Sequence, residues 1–163
     1  MSTVADGTYL DRLLGLVGER DTLEALAEGG ARVEAAVRRL GPSGLAAPWA
    51  PGKWTGVQVL THLADSEVVQ AFRSRQILAE QPHTIQEYDE MAWMGLYTAV
   101  DVEAALATFV AARRWNLGLF RTLTPAQLDR VGFHPKRGNE RLAVTLRALA
   151  GHTYNHLAQI EKL

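Results

Sequence analysis

Four long stretches of this chain repeat their apolar residues at alternating steps of three and four, a period that fits amphipathic helices and not strands. In DTLEALAEGGARVEAAVRRL the repeat runs Leu23, Leu26, Gly30, Val33, Val37 and Leu40. Asp21, with Glu24 three residues on, has the form of a capping box, so the first long helix is expected to start there. Thr55 and Gln58 open the second, TGVQVLTHLADSEVVQAFRSRQILAE, and Pro82 closes it. Asp101 caps the third, which carries Leu106, Val110, Arg113, Leu117 and Phe120 on one stripe. The fourth is expected from about Glu140 to Leu163, with Leu142, Leu146, Leu149, Thr153, His156, Ile160 and Leu163 in line.

The connections are equally readable. TYLDRLLGLV, ahead of the first long helix, is expected to form a short helix or an arm on the bundle. A Gly- and Pro-rich link, GPSGLAAPWAPGK, ends that helix. About twenty residues separate the second and third helices, and PHTIQEYDEMAW within them is expected to hold a short helical turn. TPAQL reads as a short helix with Thr124 as cap and Pro125 in the first turn. The Gly29-Gly30 pair weakens the first helix and predicts close contact with a neighbour. No stretch alternates convincingly with period two, and no internal repeat occurs. Residues 1–163 are therefore expected to form one all-α domain, a four-helix bundle.

Composition narrows the chemistry. The formal net charge is −1 and the 17 basic residues are interleaved with acids, which leaves no footprint for nucleic acid. No window approaches the roughly 20 apolar residues of a membrane span. MSTVADGTYLDRLLGL lacks a basic start followed by a long apolar run, so no signal peptide and a cytoplasmic location are expected. There is no cysteine. Any metal must then be held by His, Asp or Glu, and no thiolate of the chain can serve as nucleophile.

The segment GHTYNHLAQI places His152 and His156 four apart, where helical side chains are neighbours. Such a pair alone is common, and a histidine on an apolar face is more often a hydrogen-bonded core residue than a ligand. A third histidine alters the balance. His62 lies on a stripe of Val59, His62, Ser66, Val69 and Arg73, beside an apolar stripe of Leu60, Ala64, Val68 and Phe72. Burying an unpaired polar group costs about 1–3 kcal/mol, so inward imidazoles imply a task. His62 is seven residues past Thr55 and His156 seven short of the chain end, each about 10 Å from its terminus. If the second and fourth helices run antiparallel, the three rings share a level; the second and third must then be parallel and joined by a crossover.

PGKWTGVQVLTHLADSE, PHTIQEYDEMAW, GFHPKRG and GHTYNHLAQI, in that order from about residue 41 onward, resemble the DinB-like superfamily and its YfiT-like metal-dependent hydrolases. The resemblance implies an up-down-down-up four-helix bundle that binds a divalent metal through three histidines and leaves one coordination position open. Carried over by position, the ligands are His62, His152 and His156. Family members include bacillithiol S-transferases and mycothiol-dependent isomerases, and homodimers are implied. The segment GNERLAV fits the family pattern loosely, which leaves the pocket rim open.

Three imidazoles and an exchangeable fourth position form a catalytic rather than a structural arrangement. A cation there acidifies bound water, which gives a hydrolase, or holds a thiol as thiolate, which gives an S-transferase acting on a small molecule with a low-molecular-weight thiol. Zinc, nickel and manganese are not separated by an all-histidine set. The alternative is a non-catalytic metal- or ligand-binding bundle. Arg73 is expected either to bind an anionic substrate group or to pair at the pocket edge, and Asp65 to support a ligating imidazole. Glu67 points round the helix as a structural residue, and Trp54 anchors the second helix. Tyr88 and Asp89 either line the pocket or cap a helix, while His83 and His134, beside prolines, are poor ligand candidates.

Overall fold

The computed structural model describes residues 6–163. Residues 1–5, part of the stretch behind the signal-peptide expectation, lie outside the described residues. The chain opens with α1 (Asp6–Val17), the short helix anticipated ahead of the bundle. The four long helices follow as α2 (Thr22–Leu45), α3 (Gly56–Ala79), α5 (Val102–Phe120) and α7 (Leu142–Ile160). Between them stand two short helices, α4 (Glu90–Met94) and α6 (Pro125–Leu128). Among the described residues no helix is long and apolar enough to cross a membrane.

Caps set the starts. The Asp21 carboxylate accepts from the Leu23 and Glu24 N–H groups, and Thr55 and Gln58 form both halves of a capping box on α3. Asp101 accepts from Ala104 N–H, and Thr124 and Gln127 cap α6 reciprocally, with Pro125 in its first turn. The first long helix continues beyond Leu40: Gly41, at φ 63°, breaks it, and a last turn runs on through Pro42 to Leu45. A positive φ is accessible to glycine without steric cost, which is why the break falls there.

Three short strands correct the strand-free expectation. β1 (His83–Thr84) pairs in parallel with β2 (Val131–His134), and β2 pairs antiparallel with β3 (Gly138–Arg141). The fourth helix consequently begins at Leu142, because Glu140 belongs to β3. The buried face of this hairpin is made by Gly132, His134 and Glu140, so an apolar alternation never appears in the sequence.

Two apolar clusters hold the bundle together. One unites Val33 and Val37 of α2 with Leu60 and Leu63 of α3, Phe109 of α5 and Leu157 and Ile160 of α7. The other unites Leu26, Ile77, Phe120, Leu142 and Leu146. The seam residues of α5 and α7 face inward as their period requires, with Val110 and, past the end of α7, Leu163 only partly buried, but on α3 Val68 and Phe72 are more than half exposed. Leu63, Ala64 and Ala71 face the core instead, and the apolar stripe read from the sequence points partly outward.

A buried polar group accompanies these clusters. Arg113 donates to Glu67 at 2.5 Å, to Thr153 at 2.8 Å and to the Leu26 carbonyl at 2.7 Å, while Asn116 donates to both the Glu67 carboxylate and its carbonyl. The adjacent glycines make room: a Cβ at Gly30 would sit 3.3 Å from Arg113, and one at Gly29 3.2 Å from Thr153. Glu67 is thus the structural residue expected, and the glycine pair has the neighbour its weakness foretold.

Candidate metal centre

His62 comes from the second turn of α3, and His152 and His156 from successive turns of α7. One ring nitrogen of each lies within 4.8 Å of the others. The closest pair, His62 Nε2 and His152 Nε2, stand 2.9 Å apart, and the ring centroids are 4.5–5.0 Å from one another. His62 is 3% exposed and His156 7%, so water cannot satisfy their nitrogens freely.

The surroundings orient and neutralise these rings. The Gln159 side-chain oxygen accepts from His156 Nδ1–H at 2.8 Å, which leaves Nε2 with the free lone pair. Trp54 stacks on His156 at 6.5 Å and lies 5.1 Å from His62, so the residue expected merely to anchor α3 also covers two of the three imidazoles. Burial, aided by the neighbouring His156, pushes the His62 imidazole down to about 3. Burial likewise brings His156 down to about 4 and holds His152 well below the ordinary histidine range. Neutral imidazole is the form that donates a lone pair to a cation, so the donor set fits a divalent metal.

Beside the cluster is a cavity of about 200 Å³ whose wall includes His152, Ser66, Gln70, Arg73, Tyr88 and Glu90. Arg73 donates to the Gln86 carbonyl and lies 5.7 Å over the Tyr88 ring. Tyr88 and Ser66 hydroxyls are 3.2 Å apart. Arg137 and His134 complete the far wall, and Tyr9, Leu10 and Leu13 of α1 close one side. A larger groove, about 650 Å³, follows α5 past Leu106, Val110 and Trp115 and shares no lining residue with the histidines.

Other candidates are distributed as follows. Asp65 accepts from the Tyr97 hydroxyl at 2.7 Å, a bond that pushes the Tyr97 phenol up to about 12. Its partner is therefore a tyrosine and not the imidazole anticipated. Asp89 caps α4 by accepting from Met91 and Ala92 N–H, whereas Tyr88 faces the cavity. His134 is in the cavity wall, its Nδ1 accepting from Lys136 N–H, and His83 keeps a buried Nε2 without a hydrogen-bond partner among the described residues. Neither joins the cluster. Two residues absent from the sequence reading stand next to it: Gln159, which lies three residues beyond His156 on the same helix, and Glu90, whose Oε2 is 3.9 Å from His62 Nε2.

Known proteins repeat this architecture. The protein named "Putative metal-dependent hydrolase YfiT" of Bacillus subtilis is 34% identical over 148 residues, 86% of this chain and 81% of that protein. A Bacillus mycoides protein, also named a "Putative metal-dependent hydrolase", is 31% identical over 129 residues, 78% of this chain and 75% of its own length. The solved structure of Bacillus subtilis YfiT superposes with a TM-score of 0.80 at 32% identity, covering 86% of this chain and 82% of that one. It is described as "a probable metal-dependent hydrolase with an unusual four-helix bundle topology". The pattern of the DinB superfamily matches residues 25–160, and the chain belongs to that superfamily, within its YfiT-like branch.

Proposed function

We propose that this protein is a metal-dependent enzyme that holds a divalent cation with His62, His152 and His156 and acts on a small molecule in the adjoining cavity. The observation that carries this reading is the convergence of three ring nitrogens from two helices within 4.8 Å of one another, two of the residues buried and His152 half-buried. The names of the relatives support the same direction. The donor set admits zinc, nickel and manganese, and imidazole is a customary ligand of the first two.

When bound, the cation supplies Lewis acidity, lowering the pKa of whatever water or thiol shares its coordination sphere. The chain does the rest. Burial keeps three lone pairs unprotonated, Gln159 fixes the His156 tautomer, and Trp54 shields the rings from solvent. Arg73, on the cavity wall with His152, orients an anionic group of the substrate. Asp65 is engaged by Tyr97 and has no part in this arrangement.

Hydrolysis is the first reaction of choice. Transfer of a low-molecular-weight thiol is the second, favoured by the complete absence of cysteine, since the sulfur must then arrive with a cosubstrate. We further propose an up-down-down-up bundle, with residues 80–101 as the crossover. Its support is that one apolar cluster joins the C-terminal parts of α2 and α7 to the N-terminal parts of α3 and α5. The interleaved charge argues against a nucleic-acid partner, and exposed Val68, Phe72 and Trp115 suit a homodimer face. A single domain in the cytoplasm completes the proposal.

Elemental analysis of freshly purified protein tests the centre directly. Stoichiometric metal in the native chain, lost in a folded His62→Ala variant, is expected; equal metal in both removes His62 from the site. Ester, amide and thiol-consumption assays on metal-loaded protein then separate hydrolase from transferase. Metal binding without turnover in any of them returns the protein to the binding class.

A further inference from the structure

We propose that Glu90 is a fourth protein donor, a carboxylate that turns from the rim of the site onto the cation held by the three histidines. The proposal deepens the reading above and rests on it. Glu90 opens α4, a five-residue helix between α3 and α5 whose start is fixed by the Asp89 cap. Its Oε2 stands 3.9 Å from His62 Nε2, and among the described residues it is the carboxylate that comes within 4 Å of a nitrogen of the cluster.

Charge gives the reason. Three neutral imidazoles contribute none, so a divalent cation among them would enter a buried site with its full charge uncompensated. Glu67 offers no relief because Arg113 and Asn116 already occupy its carboxylate. Glu90 is the anion left at the right place, and its ligation would halve the buried charge.

Geometry allows the movement. Donors of a tetrahedral site with bonds near 2.1 Å lie about 3.4 Å apart, so Glu90 must approach His62 by about 0.5 Å. It stands outside the set of donor atoms that all fall within 4.8 Å, and must also rotate toward His152 and His156. The side chain is 57% exposed, which leaves room for that rotation. Because Glu90 and His152 line the same cavity, the carboxylate would sit between cation and substrate space, where an incoming group can displace it.

Cobalt(II) titration of the full chain tests this without any assay of activity. Wild type, Glu90→Gln and His62→Ala are compared by chelator competition and by the visible absorption of bound cobalt. Glu90→Gln is expected to bind about tenfold or more weakly, with an altered spectrum. Wild-type affinity together with an unchanged spectrum in that variant overturns the proposal while leaving the three-histidine centre intact. Failure of the wild type itself to take up cobalt overturns both. Should Glu90→Gln lose its helical signal, Glu90→Asp, which keeps the charge but shortens the reach, replaces it: weakened binding supports the fourth donor and wild-type binding refutes it.

Discussion

His62 and His152 are separated by 90 positions in the chain, yet their Nε2 atoms lie 2.9 Å apart. The contact is possible only while both rings are uncharged or share a single proton, since two imidazolium rings at that spacing repel strongly. In the uncharged pair one Nε2 carries the hydrogen that the other accepts, and a cation would have to take the place of that proton.

Burial of these rings makes the metal-free protein acid-sensitive. Folded His62 and His156 protonate near about 3 and about 4, against 6.5 in an unperturbed chain. The unfolded state therefore binds more protons between those values, and stability rises with pH across the interval. The contribution is complete above about pH 6.5 and fades as pH falls toward 4. In the presence of chelator, the urea midpoint is expected to be lower at about pH 5 than at about pH 7.5. His62→Ala should flatten that difference.

Arg113→Met tests the buried polar group. The substitution leaves the Glu67 carboxylate, fully buried, without its guanidinium partner. A loss of about 3–5 kcal/mol in urea unfolding is expected. Adding Glu67→Gln to that variant should recover a good part of it, because the stranded charge goes with its partner. Additive losses would show that the two residues act separately.

Gly151→Ala tests the seating of α1. A Cβ there would lie 1.9 Å from the Leu13 carbonyl oxygen, a backbone atom that no side-chain rotation can move aside. The helix must shift, at a cost of about 1–3 kcal/mol or more. Faster limited proteolysis within residues 9–17 is the direct readout, and unchanged cleavage there would contradict the close approach.

Asp65→Asn separates Asp65 from the histidines. Alkaline titration of tyrosinate absorbance should show the Tyr97 phenol falling from about 12 towards 10.0, while metal uptake stays at the wild-type level. A drop in metal uptake would restore Asp65 as a support for the imidazoles.

What could be read in advance follows the range over which each signal acts. Helix starts were legible because a cap joins residues two or three apart, as at Asp21, Thr55 and Thr124. The histidines were legible because helical period alone puts His152 beside His156 and turns His62 inward. Glu90 was not, since its position depends on where residues 80–101 cross, and β1 fixes that path by pairing with a strand almost fifty residues later. The Glu67–Arg113 pair left half a trace: an arginine within an otherwise apolar stripe of α5. Val68 and Phe72 misled because an outward apolar patch has the same period as an inward one.

The opening helix has a meaning beyond its packing. Tyr9, Leu10 and Leu13 form a side of the cavity but contribute no nitrogen to the imidazole cluster. On the proposed reading, α1 would bear on which guest the cavity admits, while the rings that hold the cation come from α3 and α7. Chains with the same three rings and a different first helix would share a chemistry and differ in clientele, so a census of histidines alone would group enzymes that never meet the same compound.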